Sequence, residues 1–165
     1  MRPVSLSWQT KLMSEISRIA QQLQLAFDGE AWHGPAVLEI LSDVDARTAS
    51  ARPIAKSHTI WELTLHVAGW ANVINRRLGG EACTLSDADN FPEVKDKSEA
   101  AWRKAVETLK HSNQALLKTM SSMPDSRLGD RVPGKNYDVY TMLHGAAQHA
   151  LYHAGQMAVL KRASE

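Results

Sequence analysis

A chain of 165 residues with a net charge of +1, 44% hydrophobic and 22% charged, has the composition of one ordinary globular domain spanning residues 1–165. The near-neutral, interleaved charge argues against a nucleic-acid or anionic-membrane partner, and no apolar run approaches the length of a bilayer span. A single cysteine, Cys83, excludes an internal disulfide and suits a reducing compartment, so a cytoplasmic location is expected.

The first eight residues lack an apolar core and do not read as a signal peptide. A first helix is predicted over 7–27, where Leu12, Ile16, Ile19, Leu23 and Phe27 recur at intervals of three and four. Gly29 suits the left-handed position that follows a helix. Next comes Ala31-Trp32-His33-Gly34-Pro35. Proline at a first helical position loses only an N–H that is unpaired anyway, so a short helix is predicted over 35–41. Another short turn over 45–51 is stopped by Pro53. The segment reads as a lid or connector. His33 reads as an exposed loop histidine, the alternative being a residue that reaches a pocket.

A second long helix opens at Thr59, whose spacing to Glu62 is that of a capping box. Its apolar stripe is Ile60, Leu63, Val67, Trp70, Ile74 and Leu78, and His66 borders that stripe. Gly79-Gly80 ends it. The polar loop over 81–95 is long for a compact domain and is expected to be functional or mobile. A third helix is predicted over 96–123, with Asp96 and Glu99 in capping-box positions. Asn113 interrupts its stripe and reads as a solvated or hydrogen-bonded amide, the alternative being a polar group that faces a pocket. Pro133-Gly134-Lys135-Asn136 is a turn signal, after which Asp138 caps a fourth helix running to about residue 162. Four long amphipathic helices without strand-like alternation predict an all-α four-helix bundle, with a short connector helix between the first two.

The chemistry lies in Gln148-His149-Ala150-Leu151-Tyr152-His153-Ala154-Gly155-Gln156. Four residues along a helix bring both imidazoles to one face, about 40° apart and one turn apart. They share a stripe with Met142, Ala146 and Leu160, so they point where core residues point. Two imidazoles in a core need partners, which either hydrogen bonds or a metal ion supplies. A metal needs a third ligand, and His66 is the best candidate. His144 is about 140° around the helix from His149 and is excluded from the same site. His58 reads as a loop or cap residue and His111 as surface. Gln156 lies on the ligand face. Glu62 could orient His66, although its capping role is the simpler assignment. Tyr152 is a weaker candidate for a pocket hydroxyl. No phosphate-binding glycine loop and no Gly-x-Ser-x-Gly elbow is present.

Three phrases together resemble the DinB/YfiT-like family of four-helix-bundle metal proteins. They are Ala31-Trp32-His33-Gly34-Pro35, Ile60-Trp61-Glu62-Leu63-Thr64-Leu65-His66-Val67-Ala68-Gly69-Trp70, and the stretch from Leu143 through His149 and His153 to Gln156. The resemblance implies that His66, His149 and His153 bind one divalent metal, in a bundle that often forms a homodimer. It also implies a small-molecule substrate, in some relatives together with a low-molecular-weight thiol such as bacillithiol, mycothiol or glutathione. Three neutral histidines leave coordination positions open, as catalytic sites do. Zinc and nickel suit imidazole best, with iron or manganese compatible. No Asp or Glu stands on the ligand stripes as a general base. The leading expectation is therefore a thiol-dependent S-transferase. The alternatives are a hydrolase of the same fold and a non-catalytic, stress-related dimer module.

Overall fold

The computed structural model describes residues 13–165, and among them every regular element is helical. In chain order these are α1 (Glu15–Phe27), α2 (Val37–Leu41), α3 (Ala46–Ser50), α4 (Ile60–Leu78), α5 (Asp87–Asn90), α6 (Glu99–Ser121) and α7 (Val139–Ala163). A 3-10 turn at Asp125–Gly129 joins the last two. Helices α1, α4, α6 and α7 form the predicted four-helix bundle. Both α1 and α4 pack against α6 and α7, so α1 and α4 stand diagonally opposite. The connector bridges that diagonal: α2 lies on α1 and α7, and α3 lies on α4 and α6.

The helix starts follow from local chemistry. At α4 the predicted capping box is complete: Thr59 Oγ1 accepts the Glu62 N–H at 3.1 Å, and the Glu62 carboxylate accepts the Thr59 N–H at 2.8 Å. Asp138 caps α7 as predicted, accepting the Thr141 N–H. The other starts differ from expectation. The predicted beginning of the first helix, residues 7–12, lies outside the described residues. Met13 and Ser14 are not helical, because Ser14 caps at Ser17 and the Asp125 carboxylate accepts the N–H groups of Glu15 and Ile16. Pro35 does not open α2. Ala36 is the extended residue before the helix, and the burial of Ala36 and Val37 in the core sets the start. Asp96 does not cap α6; Ser98 does, and Asp96 accepts the Ser98 N–H instead. The Glu99 side chain turns away from its own helix to accept the Ala46 N–H at 2.9 Å, tying α6 to the start of α3.

The core has two halves along the bundle. One gathers Phe27, Ile40, Trp61, Leu63, Val67, Trp102, Leu109, Met157 and Leu160 around the connector. Trp102 anchors there by donating its indole N–H to the Val44 carbonyl. The other gathers Ile19, Leu23, Ile74, Leu78, Leu116, Met120, Val139 and Leu143. On α4, Val67 belongs to the first half and Ala71 to the second. On α7, Ala154 belongs to the first and Ala150 to the second. His66, His149 and His153 therefore sit at the level where the two halves meet. Asn113 is buried, 4% exposed, and faces a pocket, so the alternative reading of it fits better than a solvated amide. It lines, with His149, an internal void of about 20 Å³, too small for any substrate.

Candidate metal centre

Helix α4 presents His66 and helix α7 presents His149 and His153, and the structure brings all three together. One ring nitrogen from each lies within 4.8 Å of the other two. His66 and His153 are buried and His149 is half-buried. Capping fixes where α4 begins, so His66 falls on the turn that faces α7. The His-x-x-x-His spacing then supplies two rings from one rigid helix.

Two of the rings, His66 and His153, are aimed by what holds the outer nitrogen. His66 Nδ1 is 2.7 Å from the Asn90 carbonyl, which can only accept, so Nδ1 carries the proton. His66 Nε2 then presents a lone pair inward, 2.9 Å from His149 Nε2. His153 Nδ1 donates to Gln156 Oε1 at 2.7 Å, which leaves its own Nε2 as an acceptor. Histidines that ligate metals characteristically donate the far N–H to an oxygen in this way. His149 Nε2 donates to the His66 lone pair when it carries the proton; with its proton on Nδ1 it turns a second lone pair toward the first, the arrangement that a cation between them would use. The donor set thus fits a cation that prefers neutral imidazole nitrogen.

The electrostatics agree. Burial, with His153 and His66 beside it, pushes the His149 imidazole down to about 3. Burial also lowers His66, against the opposing bond to Asn90, and lowers His153, against the opposing bond to Gln156. All three are neutral at pH 7, the form in which an imidazole binds metal.

The loop over 81–95 is a supporting element of this group. It ends α5 at Asn90, whose carbonyl holds His66 and whose side-chain oxygen accepts the Trp70 indole N–H at 2.9 Å. Phe91 follows, its ring stacked on His66 at 4.2 Å and on His58 at 3.6 Å. Sequence reasoning missed both residues. A backbone carbonyl has no sequence signature; the available signal was Ser86-Asp87-Ala88-Asp89-Asn90, a cap and a short acidic turn inside an overlong loop.

The remaining candidates divide clearly. Gln156 joins the group. Glu62 does not orient His66; besides its cap it pairs with Arg52 and lies near His58. Tyr152 is exposed, its ring edge-on to His153 at 5.0 Å, and it lines a cavity of about 520 Å³ with His58 and Gln156. His33 is exposed. His111 is a surface residue bonded to the Glu107 carbonyl. His144 stands apart against the Tyr140 ring, as its angle predicted.

A family model described as the DinB superfamily matches residues 31–157, which include all three histidines. The chain belongs to the DinB superfamily. The match leaves out α1 and covers the connector, α4, α5 and α6 and most of α7. No curated protein and no solved structure matches the chain. In this DinB-superfamily chain no described helix is long and apolar enough to cross a membrane.

Proposed function

We propose that the chain is a metal-dependent enzyme in which His66, His149 and His153 hold one divalent ion, and that it transfers a low-molecular-weight thiol to an electrophile. The observation that carries this is the convergence of three neutral imidazoles, two of them locked by oxygen acceptors at Nδ1 with Nε2 turned inward. Three protein donors leave room for an exogenous ligand. When bound, the ion supplies a Lewis-acidic site that lowers a thiol's pKa.

The chain's own residues do the rest. Asn90 and Gln156 hold two of the rings in one tautomer and orientation. Phe91 and Trp70 pack beside them and exclude water from that side. Of the two larger cavities beside the group, one touches Gln156 and contributes Lys56 and His58, the other touches His149 and contributes Arg77. Neither is lined by an Asp or Glu. With no carboxylate in either lining to act as base on a water, and a thiol able to react as thiolate without one, transfer is favoured. In the reaction the thiol releases its proton to solvent, a C–S bond forms from the resulting thiolate, and the leaving group departs as an anion with the electron pair of the broken bond.

The test has two stages. Elemental analysis of untagged wild type and His153→Ala should find about one equivalent of metal in the first and none in the second. Zinc- and nickel-loaded protein is then offered glutathione, bacillithiol or mycothiol with 1-chloro-2,4-dinitrobenzene, and the thioether and released chloride are measured. Metal uptake without any thioether would overturn the transferase assignment and leave a metal-binding module. No uptake of either ion would overturn the site itself.

A further inference from the structure

Arg77, near the end of α4, is a buried guanidinium, 4% exposed. No described carboxylate lies within ion-pair distance of it, and residues 1–12 contain no Asp or Glu. Its described partners are neutral. Nε and Nη2 donate to the Cys83 carbonyl at 2.9 and 2.8 Å, and Nη1 donates to the Tyr137 hydroxyl at 3.1 Å. A guanidinium has five N–H groups, so one on each terminal nitrogen is left over from these bonds. A buried charge without a counter-ion is costly; the Trp70 ring face and the C-terminal end of α4 offset part of that cost, and a bound anion would offset more.

Arg77 lines a cavity of about 320 Å³ between α4 and α7. The walls are apolar, from Ile74, Met142 and Ala146, and His149 lies at the same cavity. Trp70 separates the two polar ends: its ring is 6.2 Å from the His149 ring and 5.6 Å from the Arg77 guanidinium carbon. Gly145 forms part of the wall, and a Cβ there would meet nothing within 4 Å. An apolar cavity with one convergent cation at one end and the histidine group at the other has the make-up of a small-molecule site.

We propose that this cavity is the substrate pocket of the metal centre, and that it takes a small molecule with an apolar body whose carboxylate pairs with Arg77. The link to chemistry rests on the metal assignment above; the binding itself does not. A bidentate guanidinium–carboxylate pair would use the two remaining N–H groups and set the substrate's direction, placing its far end toward His149.

The test is calorimetric titration with hexanoate and with its neutral counterpart hexanamide, on chelator-treated and on zinc-loaded protein. Hexanoate should bind the metal-free wild type more tightly than hexanamide. Arg77→Gln should weaken hexanoate about 10- to 100-fold and leave hexanamide nearly unchanged. Gly145→Leu fills the cavity while keeping Arg77, and should abolish both; it carries the test if Arg77→Gln does not fold, as circular dichroism would reveal. Hexanoate binding that both variants leave intact overturns the pocket. So does binding that requires zinc and ignores Arg77→Gln, since the carboxylate would then sit on the ion, and the metal assignment would survive. Arg77-dependent binding in a protein that takes up no metal would sink the metal assignment and leave an anion pocket.

Discussion

An imidazole binds a cation only when neutral and only along its in-plane lone pair. The fold arranges both conditions with ordinary means: burial for the first, an oxygen on the far nitrogen for the second. The same burial has a pH signature in the metal-free protein. Unfolded, His149 titrates near the usual histidine value of about 6.5; folded, it is pushed down to about 3. Between those values the unfolded state binds the extra proton, so stability is full above the upper value and falls as pH drops toward the lower one. His66 and His153, lowered in the same direction, add to it. Urea unfolding of chelator-treated protein at pH 7, 6 and 5 should show this loss, at a limiting slope of about 1.4 kcal/mol per pH unit for each proton taken up. His149→Leu should flatten the curve. Equal slopes in the two proteins would mean that His149 titrates normally.

At the scale of the elements, what the sequence disclosed was whatever repeats along one helix. Stripes at three and four placed α4, α6 and α7, and the four-residue step placed His149 beside His153. Thr59 and Glu62 carried their own cap. What stayed hidden depends on contacts between distant segments. The start of α1 is set by Asp125, 110 residues away from Glu15, and the aim of His66 by a carbonyl 24 residues on. No periodicity encodes such pairs. Arg77 stood in plain view as a basic residue in a last turn. Its offset of eleven from His66 is three turns to within about 20°, a coincidence of face that periodicity could have caught. The helix glycines make the same distinction measurable. In α4, a Cβ on Gly69 would come within 3.2 Å of the Leu85 side chain, so the loop after α4 packs on that bare surface. In α7, a Cβ on Gly145 would meet open cavity. Gly145→Ala should therefore stabilise the fold by about 0.5–1 kcal/mol through helix propensity alone. Gly69→Ala should gain less or lose, because Leu85 must move. Paired chemical denaturation reads the difference, and equal gains at both positions would show that the Leu85 contact is unimportant.

Across the whole molecule the histidine group sets packing stability against the capacity to hold an ion. It sits at the level where the two apolar halves of the core meet, with two desolvated rings on α7 facing one on α4. Without an ion these rings contribute little. Their inner nitrogens are crowded, and apolar side chains of similar size would pack the same space at less desolvation cost. With an ion, α4 and α7 are tied together by ligand bonds that the unfolded chain cannot make, so binding adds to folding. Zinc at about 100 times its dissociation constant should raise stability by about 2.7 kcal/mol. For a chain of this length that is a rise of roughly 5–11 °C in Tm. The triple variant His66→Leu, His149→Leu, His153→Leu should melt above the metal-free wild type, by at least about 1 kcal/mol, and should ignore zinc. Scanning calorimetry of the three samples separates two roles for the site. If the triple variant approaches the zinc-loaded protein, the fold has no need of the ion, and its histidines are kept for chemistry. If it melts below the metal-free wild type, the three rings hold the bundle together by themselves, and the case for a catalytic centre loses its energetic argument.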